Sequence, residues 1–124
     1  MANSTTTINP FTEQPIKSYD LLSNAAAERA IDNADKCFAS WKLTPLAKRA
    51  ELAEKLAQII EDRQEQLMTL MTDEMGKVRA QGAEEVKLCA EICRYTAKQA
   101  KSVLADEERE FAQGKAIVTY QPLG

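Results

Sequence analysis

No histidine occurs among the 124 residues. That removes the commonest general acid–base group near neutral pH and the commonest protein metal ligand. Charge of one sign is also missing: 16 Lys and Arg stand against 19 Asp and Glu, a formal net charge of -3. Such a balance leaves no electrostatic footprint for nucleic acid and no basic face for an anionic membrane. No apolar run approaches the roughly 20 residues that span a bilayer. The start, Met1 to Thr7, has neither a basic nor an apolar stretch, so no secretory signal is expected. Asn3-Ser4-Thr5 matches a glycosylation sequon, but without secretion it is expected to stay unused. Cysteine is scarce and odd in number, with Cys37, Cys89 and Cys93 only. That pattern points to reduced thiols in a cytoplasmic protein. Glycine and proline are held to four each.

What is present favours helix: Ala, Glu, Lys, Leu and Gln abound. The length suits one domain, which standing alone could bury roughly two-thirds of its unfolded surface.

Residues 1–7 are small and polar and are expected to form a disordered tail. Over 8–22, Pro10 and Pro15 exclude a helix and suit short edge strands around a turn at Asn9-Pro10. Ser23 is a good N-cap for a first helix, in which Ala27, Ala30, Ile31, Ala34, Cys37, Phe38 and Trp41 form one apolar stripe. Trp41 is expected to anchor packing rather than to stack on a ligand. Thr44-Pro45 predicts a second helix, with Thr44 as cap and Pro45 in the first turn. Its apolar positions include Leu46, Ala50, Ala53, Leu56, Ala57 and Ile60. The pattern lapses over 61–66, which predicts a break before a third helix carrying Leu67, Leu70, Met71 and Met75.

Thr69 to Lys77 is the stretch around which the rest is arranged. Gly76 stands where a left-handed residue would end the third helix. Gly76-Lys77 lacks the further glycine and the following Ser or Thr of a phosphate loop, so the helix-cap reading is preferred. A fourth helix is predicted from about Ala80 to Leu104. Val86, Cys89, Ala90, Cys93, Ala97, Ala100 and Leu104 make one face, widened by Leu88, Ile92, Tyr95 and Val103. A helix so broadly apolar is expected to be covered on more than one side. Cys89 and Cys93 share a face, but a zinc site would need two more ligands, so buried structural thiols are expected. Asp106 to Glu110 reads as a charged linker. Lys115 to Gln121 is the clearest strand, and a lone one.

The ordered set Ile8-Asn9-Pro10, Phe38-Ala39-Ser40-Trp41, Arg49-Ala50-Glu51-Leu52, Leu67 to Lys77, Ala83-Glu84-Glu85-Val86 and Tyr120-Gln121-Pro122-Leu123-Gly124 resembles the N-terminal portion of the aldehyde dehydrogenase superfamily. Its wording is most similar to the bacterial succinate-semialdehyde dehydrogenases. One departure is Glu13, near a place where the family often has glycine in the turn after Asn-Pro.

The resemblance implies a mainly α portion of an α/β Rossmann-like fold, with about four helices, short N-terminal strands and one C-terminal strand. In these terms 23–113 is the helical part of a cofactor-binding domain, and 114–124 is a strand leading toward an oligomerisation arm. Lys115 to Gln121 is then the candidate subunit contact in a homo-oligomer. For the full-length protein the resemblance implies NAD or NADP as cofactor and a small aldehyde substrate, with succinate semialdehyde in view. In that family a thiolate attacks the carbonyl, hydride leaves to the nicotinamide, and a glutamate-activated water cleaves the thioester. No catalytic, cofactor-binding or metal-binding residue is assigned within 1–124. Cys37, Cys89 and Cys93 fall on helix positions rather than at the nucleophile. The expectation is therefore an inactive N-terminal fragment that exposes apolar surface. The other reading is a non-catalytic helical interaction or scaffold module.

Overall fold

Two β-hairpins bracket a set of helices. The computed structural model describes residues 4–123. Strand β1 (Ser4–Ile8) pairs with β2 (Pro15–Asp20). Helices α1 (Asn24–Trp41), α2 (Leu46–Asp62), α3 (Gln64–Met75) and α4 (Arg79–Val103) follow, and β3 (Glu107–Phe111) pairs with β4 (Gly114–Val118). The chain is mainly α, as the sequence predicts, with four helices among the described residues.

The expected tail over 1–7 needs correction. Residues 4–7 belong to β1, in antiparallel register from Ser4↔Asp20 to Thr7↔Lys17. Three successive threonines are β-branched and suit an extended ladder, and Thr6 and Ser18 join across it with their hydroxyls 2.7 Å apart. Polarity alone misread them; residues 1–3 lie outside the described residues. The turn is built on Asn9, whose side-chain oxygen accepts from the N–H of Phe11 (2.9 Å) and Thr12 (3.0 Å). Glu13 closes it in the left-handed conformation, φ 59°. That backbone is the physical reason a glycine suits this place.

Ser23 caps α1 as expected, its hydroxyl accepting from the Ala26 N–H at 3.2 Å. At α2 the cap is corrected by one residue. Pro45 keeps an extended ψ of 139° and no side chain caps the helix. The Pro45 carbonyl already accepts from Lys48 (2.9 Å) and Arg49 (3.2 Å), which leaves Thr44 outside the first turn. The lapse over 61–66 is a break at Arg63, φ -103° and ψ 13°. Gly76 ends α3 with φ 67°.

Extended helix packing is that of α4 on α2 and on α3. Its buried residues are small: Ala57, Gly82, Val86 and Ala90. Gly82 faces α3 at a spacing that leaves room for a methyl group and no more, since a Cβ there would lie in ordinary contact, 3.5 Å from Met71 Cε and 3.7 Å from Met68 Cα. Helix α1 takes no part in the extended contacts, and its stripe stays open, with Ile31 70% and Trp41 44% exposed.

The lone C-terminal strand is corrected too. The stretch read as a charged linker supplies its partner: β3 runs Glu107↔Val118 to Phe111↔Gly114 against β4. A ladder is made by backbone groups, and the ribbon's acidic side chains are matched by Lys115, whose Nζ is 3.1 Å from Glu110 and 3.7 Å from Glu108. Regular structure ends at Val118, not Gln121.

Accessible surface totals 10065 Å². A compact monomer of 13.8 kDa would expose roughly 6,600 Å². Most of the apolar stripes therefore face water.

Candidate functional site

Charged groups from different helices converge at three places. On α2, Glu54 and Glu61 lie on one side and reach across to Arg94 of α4. Arg94 Nε donates to Glu54 Oε1 at 3.1 Å, Nη2 donates to Glu61 Oε2 at 2.6 Å, and Nη1 donates to Glu61 Oε1. A planar guanidinium holding one carboxylate through two bonds fixes the angle between helices as well as their distance. The hydrogen bond from Arg94 lowers the Glu61 carboxyl below the usual carboxylate range; burial opposes it and the Arg94 charge adds to it. The same pairing raises Arg94. At the start of α4, Arg79 pairs with Glu65 and donates to Thr69 Oγ1 at 3.3 Å.

The third place is the α3–α4 turn. The Gly76 N–H donates to the Thr72 carbonyl at 2.9 Å, and the Thr72 hydroxyl donates to the Lys77 carbonyl at 2.9 Å. Lys77 Nζ is paired with Glu85, and the Pro10 ring occupies the space beside Gly76. A phosphate would need that ammonium and that space, so the turn is a packed helix end.

The thiols depart from the expectation of burial. Cys37 and Cys89 are exposed and Cys93 is half-buried. The cause lies in the helices: Cys37 sits on the open stripe of α1, and Cys89 lines a groove of about 230 Å³ with Ile60, Leu67, Leu70, Met71 and Val86. Glu85 also borders this groove, but its carboxylate is engaged by Lys77. The arrangement is an open apolar trough with a paired acid at its rim, suited to an apolar side chain.

A nicotinamide nucleotide needs backbone N–H groups at a glycine-rich helix start, where its pyrophosphate approaches closely. The described residues do not fit that need. The glycines are Gly76, Gly82, Gly114 and Gly124. Gly76 closes α3, Gly82 is packed on Met68 and Met71, and Gly114 opens β4; Gly124 lies outside the described residues. No helix among those residues is long and apolar enough to cross a membrane.

The Arg94 clamp is the feature that sequence reading missed. Its partners are 33 and 40 residues away, beyond the reach of any spacing rule. Gly82 was missed as well, although an isolated glycine in a helical pattern is a signal of close packing.

Comparison with known proteins adds what the side chains do not say. The profile described as the aldehyde dehydrogenase family matches residues 1–124. A probable NADP-dependent succinate-semialdehyde dehydrogenase of Synechocystis is 37% identical over 118 residues, which is 95% of this chain and 26% of that protein. The succinic semialdehyde dehydrogenase of Streptococcus pyogenes, in a crystal structure with NADP, superposes with a TM-score of 0.91 at 26% identity, covering 96% of this chain and 26% of the other. An NADP-dependent glyceraldehyde-3-phosphate dehydrogenase of Bacillus halodurans, solved with NADP, superposes with a TM-score of 0.89 at 28% identity, covering 98% and 27%. The chain thus spans about a quarter of the length of the relatives it matches.

Proposed function

We propose, from the premise that the chain belongs to the aldehyde dehydrogenase family, that it is the N-terminal portion of a longer NADP-dependent enzyme. That enzyme oxidises a small aldehyde to its acid, with succinate semialdehyde the first candidate. The observation that carries this reading is the match along nearly the whole chain to about a quarter of the NADP-dependent succinate-semialdehyde dehydrogenases. The same N-terminal fold on a glyceraldehyde-3-phosphate enzyme means that the substrate choice rests on sequence similarity, not on shape.

In this reading residues 23–113 form the helical part of a cofactor-binding domain, and 114–124 lead toward an arm that joins subunits of a homo-oligomer. The reacting thiol, its base and the nucleotide contacts are supplied by residues outside these 124, and the 124-residue chain alone has no oxidising activity. When bound, the nucleotide supplies hydride acceptance. The residues present here hold helices in place through Arg94, Arg79 and Lys77.

The test is to read the coding DNA past codon 124, express the complete protein, and follow NADPH and NADH formation with succinate semialdehyde and with glyceraldehyde 3-phosphate. NADPH formation with succinate semialdehyde supports the reading. A stop codon after Gly124, or a longer protein that reduces neither nucleotide with any small aldehyde, sinks it.

A further inference from the structure

Cys89 and Cys93 stand one helical turn apart on α4. At about 100° per residue they point only about 40° apart, on the side of the helix that carries Val86 and meets α2 and α3. Cys89 is exposed, Cys93 is half-buried, and neither is in a disulfide. Cβ atoms four residues apart on a helix are about 5–6 Å apart, whereas a disulfide needs about 3.5–4.5 Å. A direct S–S bond would therefore distort α4. A single atom bonded to both sulfurs, at bond lengths of about 2.3 Å such as zinc makes, spans the wider gap with the helix intact.

The surroundings narrow the choice of that atom. Among the described residues no three His, Cys, Asp or Glu side chains are grouped to hold a metal ion, so zinc's four ligands are not gathered here. Three carboxylates bordering this side are already engaged, Glu85 by Lys77 and Glu54 and Glu61 by Arg94. Arg94 and its two carboxylates sum to one negative charge. A bridge that left further negative charge at the neighbouring Cys93 would be opposed, so a neutral product is favoured.

We propose that Cys89 and Cys93 form a dithiol site for a monosubstituted trivalent arsenical, R–As(OH)2, with an aromatic R. Each thiol gives its proton to one hydroxyl, which leaves as water. Two As–O and two S–H bonds break, two As–S bonds form, two waters depart, arsenic stays trivalent and the product R–As(S–Cys)2 is neutral. The substituent R needs an apolar place. The groove of about 230 Å³ beside Cys89 supplies one, walled by Ile60, Leu70, Met71 and Val86. The Met71 thioether packs favourably on an aromatic ring. Because the two thiols share one helix face, the second bond is intramolecular and binding exceeds that of either thiol alone. Cys37 has no second cysteine within a turn and can make only one bond. The site stands independently of the activity proposed above.

The probe is phenylarsonous acid, C6H5As(OH)2, titrated into the 124-residue chain with excess glutathione as a competing monothiol. Binding is read by intact mass and by peptide mapping of alkylated thiols. One phenylarsenic group should bind, with Cys89 and Cys93 both shielded and Cys37 still alkylated. Cys89→Ser and Cys93→Ser should each weaken binding on the order of 10²-fold, and Cys37→Ser should leave it unchanged. Cys93→Ser combined with Glu91→Cys keeps two thiols close in sequence but about 200° apart around the helix. It should bind as weakly as the single variants. Unweakened binding in either single variant, or an adduct on Cys37, would overturn the proposal. Equal binding by the relocated pair would also overturn it, by showing that a flexible segment and not the helix face holds the arsenic. The complete protein should show the same shielding of Cys89 and Cys93, and free alkylation of both there would overturn the proposal too.

Discussion

The Pro10 ring at the tip of the first hairpin lies against Gly76 at the end of α3, so closely that a Cβ on Gly76 would stand 3.2 Å from Pro10 Cγ. This contact ties the N-terminal ribbon to the helices at the one residue of α3 that must be left-handed. Two demands, on conformation and on space, therefore fall on the same glycine.

Gly76→Ala should lower stability by about 1–2 kcal/mol from the left-handed backbone alone, with a further loss as Pro10 is displaced. Gly76→Asn should recover part of the backbone term, because asparagine tolerates that conformation. Urea unfolding of the three proteins measures this, and an unchanged midpoint for Gly76→Ala would refute it.

Glu13 holds φ 59° without being glycine. Glu13→Gly should raise stability by about 0.5–1 kcal/mol, the strain relieved being larger than the added chain entropy. Glu13→Val, β-branched, should lower it. The comparison is made by thermal melting, and a gain with valine would contradict the argument.

The Arg94–Glu61 clamp should make stability depend on pH in one direction. The folded Glu61 carboxyl is lowered, so its contribution is complete above the unfolded glutamate value, about 4.3, and fades as pH falls toward the folded value. Glu61→Gln should cost most near neutral pH and little in strong acid. Because the groups are partly exposed, the difference should also shrink in high salt. A pH-independent difference would show that Glu61 acts through packing alone.

Gly82 offers the opposite case to Gly76. Its added Cβ would meet Met71 and Met68 at 3.5–3.7 Å, ordinary contact distances. Gly82→Ala should therefore be neutral or stabilising by up to about 1 kcal/mol through helix propensity. Gly82→Leu should force α3 from α4 and be destabilising. Circular dichroism melts distinguish the two.

The 124-residue chain alone should bind an apolar dye and associate at raised concentration, given its open stripes on α1 and α4. A monomeric, dye-free protein with one sharp unfolding transition would show that the stripes find partners within the chain.

The helices were legible in the sequence because their signals are local. Ser23 caps within three residues, the 3.6-residue period marks α1 and α4, and Gly76 ends α3 where it stands. Errors fell where the deciding partner is distant. Thr5 to Thr7 resembled a tail until β2 provided a ladder, and Glu107 to Glu110 resembled a linker until β4 did. Cys89 and Cys93 were expected to be buried structural thiols, but their apolar stripe is buried only where another element covers it.

By itself, then, the sequence determined the cap of α1, the break at Arg63 and the end of α3, and located the start of α2 to within one residue, since caps, period and backbone conformation are settled within a few residues. It also carried the family pattern from Ile8 to Gly124. The tertiary structure alone decided which strands pair, which side of α4 is buried, and that Arg94 meets Glu54 and Glu61. Those outcomes join residues tens of positions apart, and they depend on how whole helices pack rather than on any local preference.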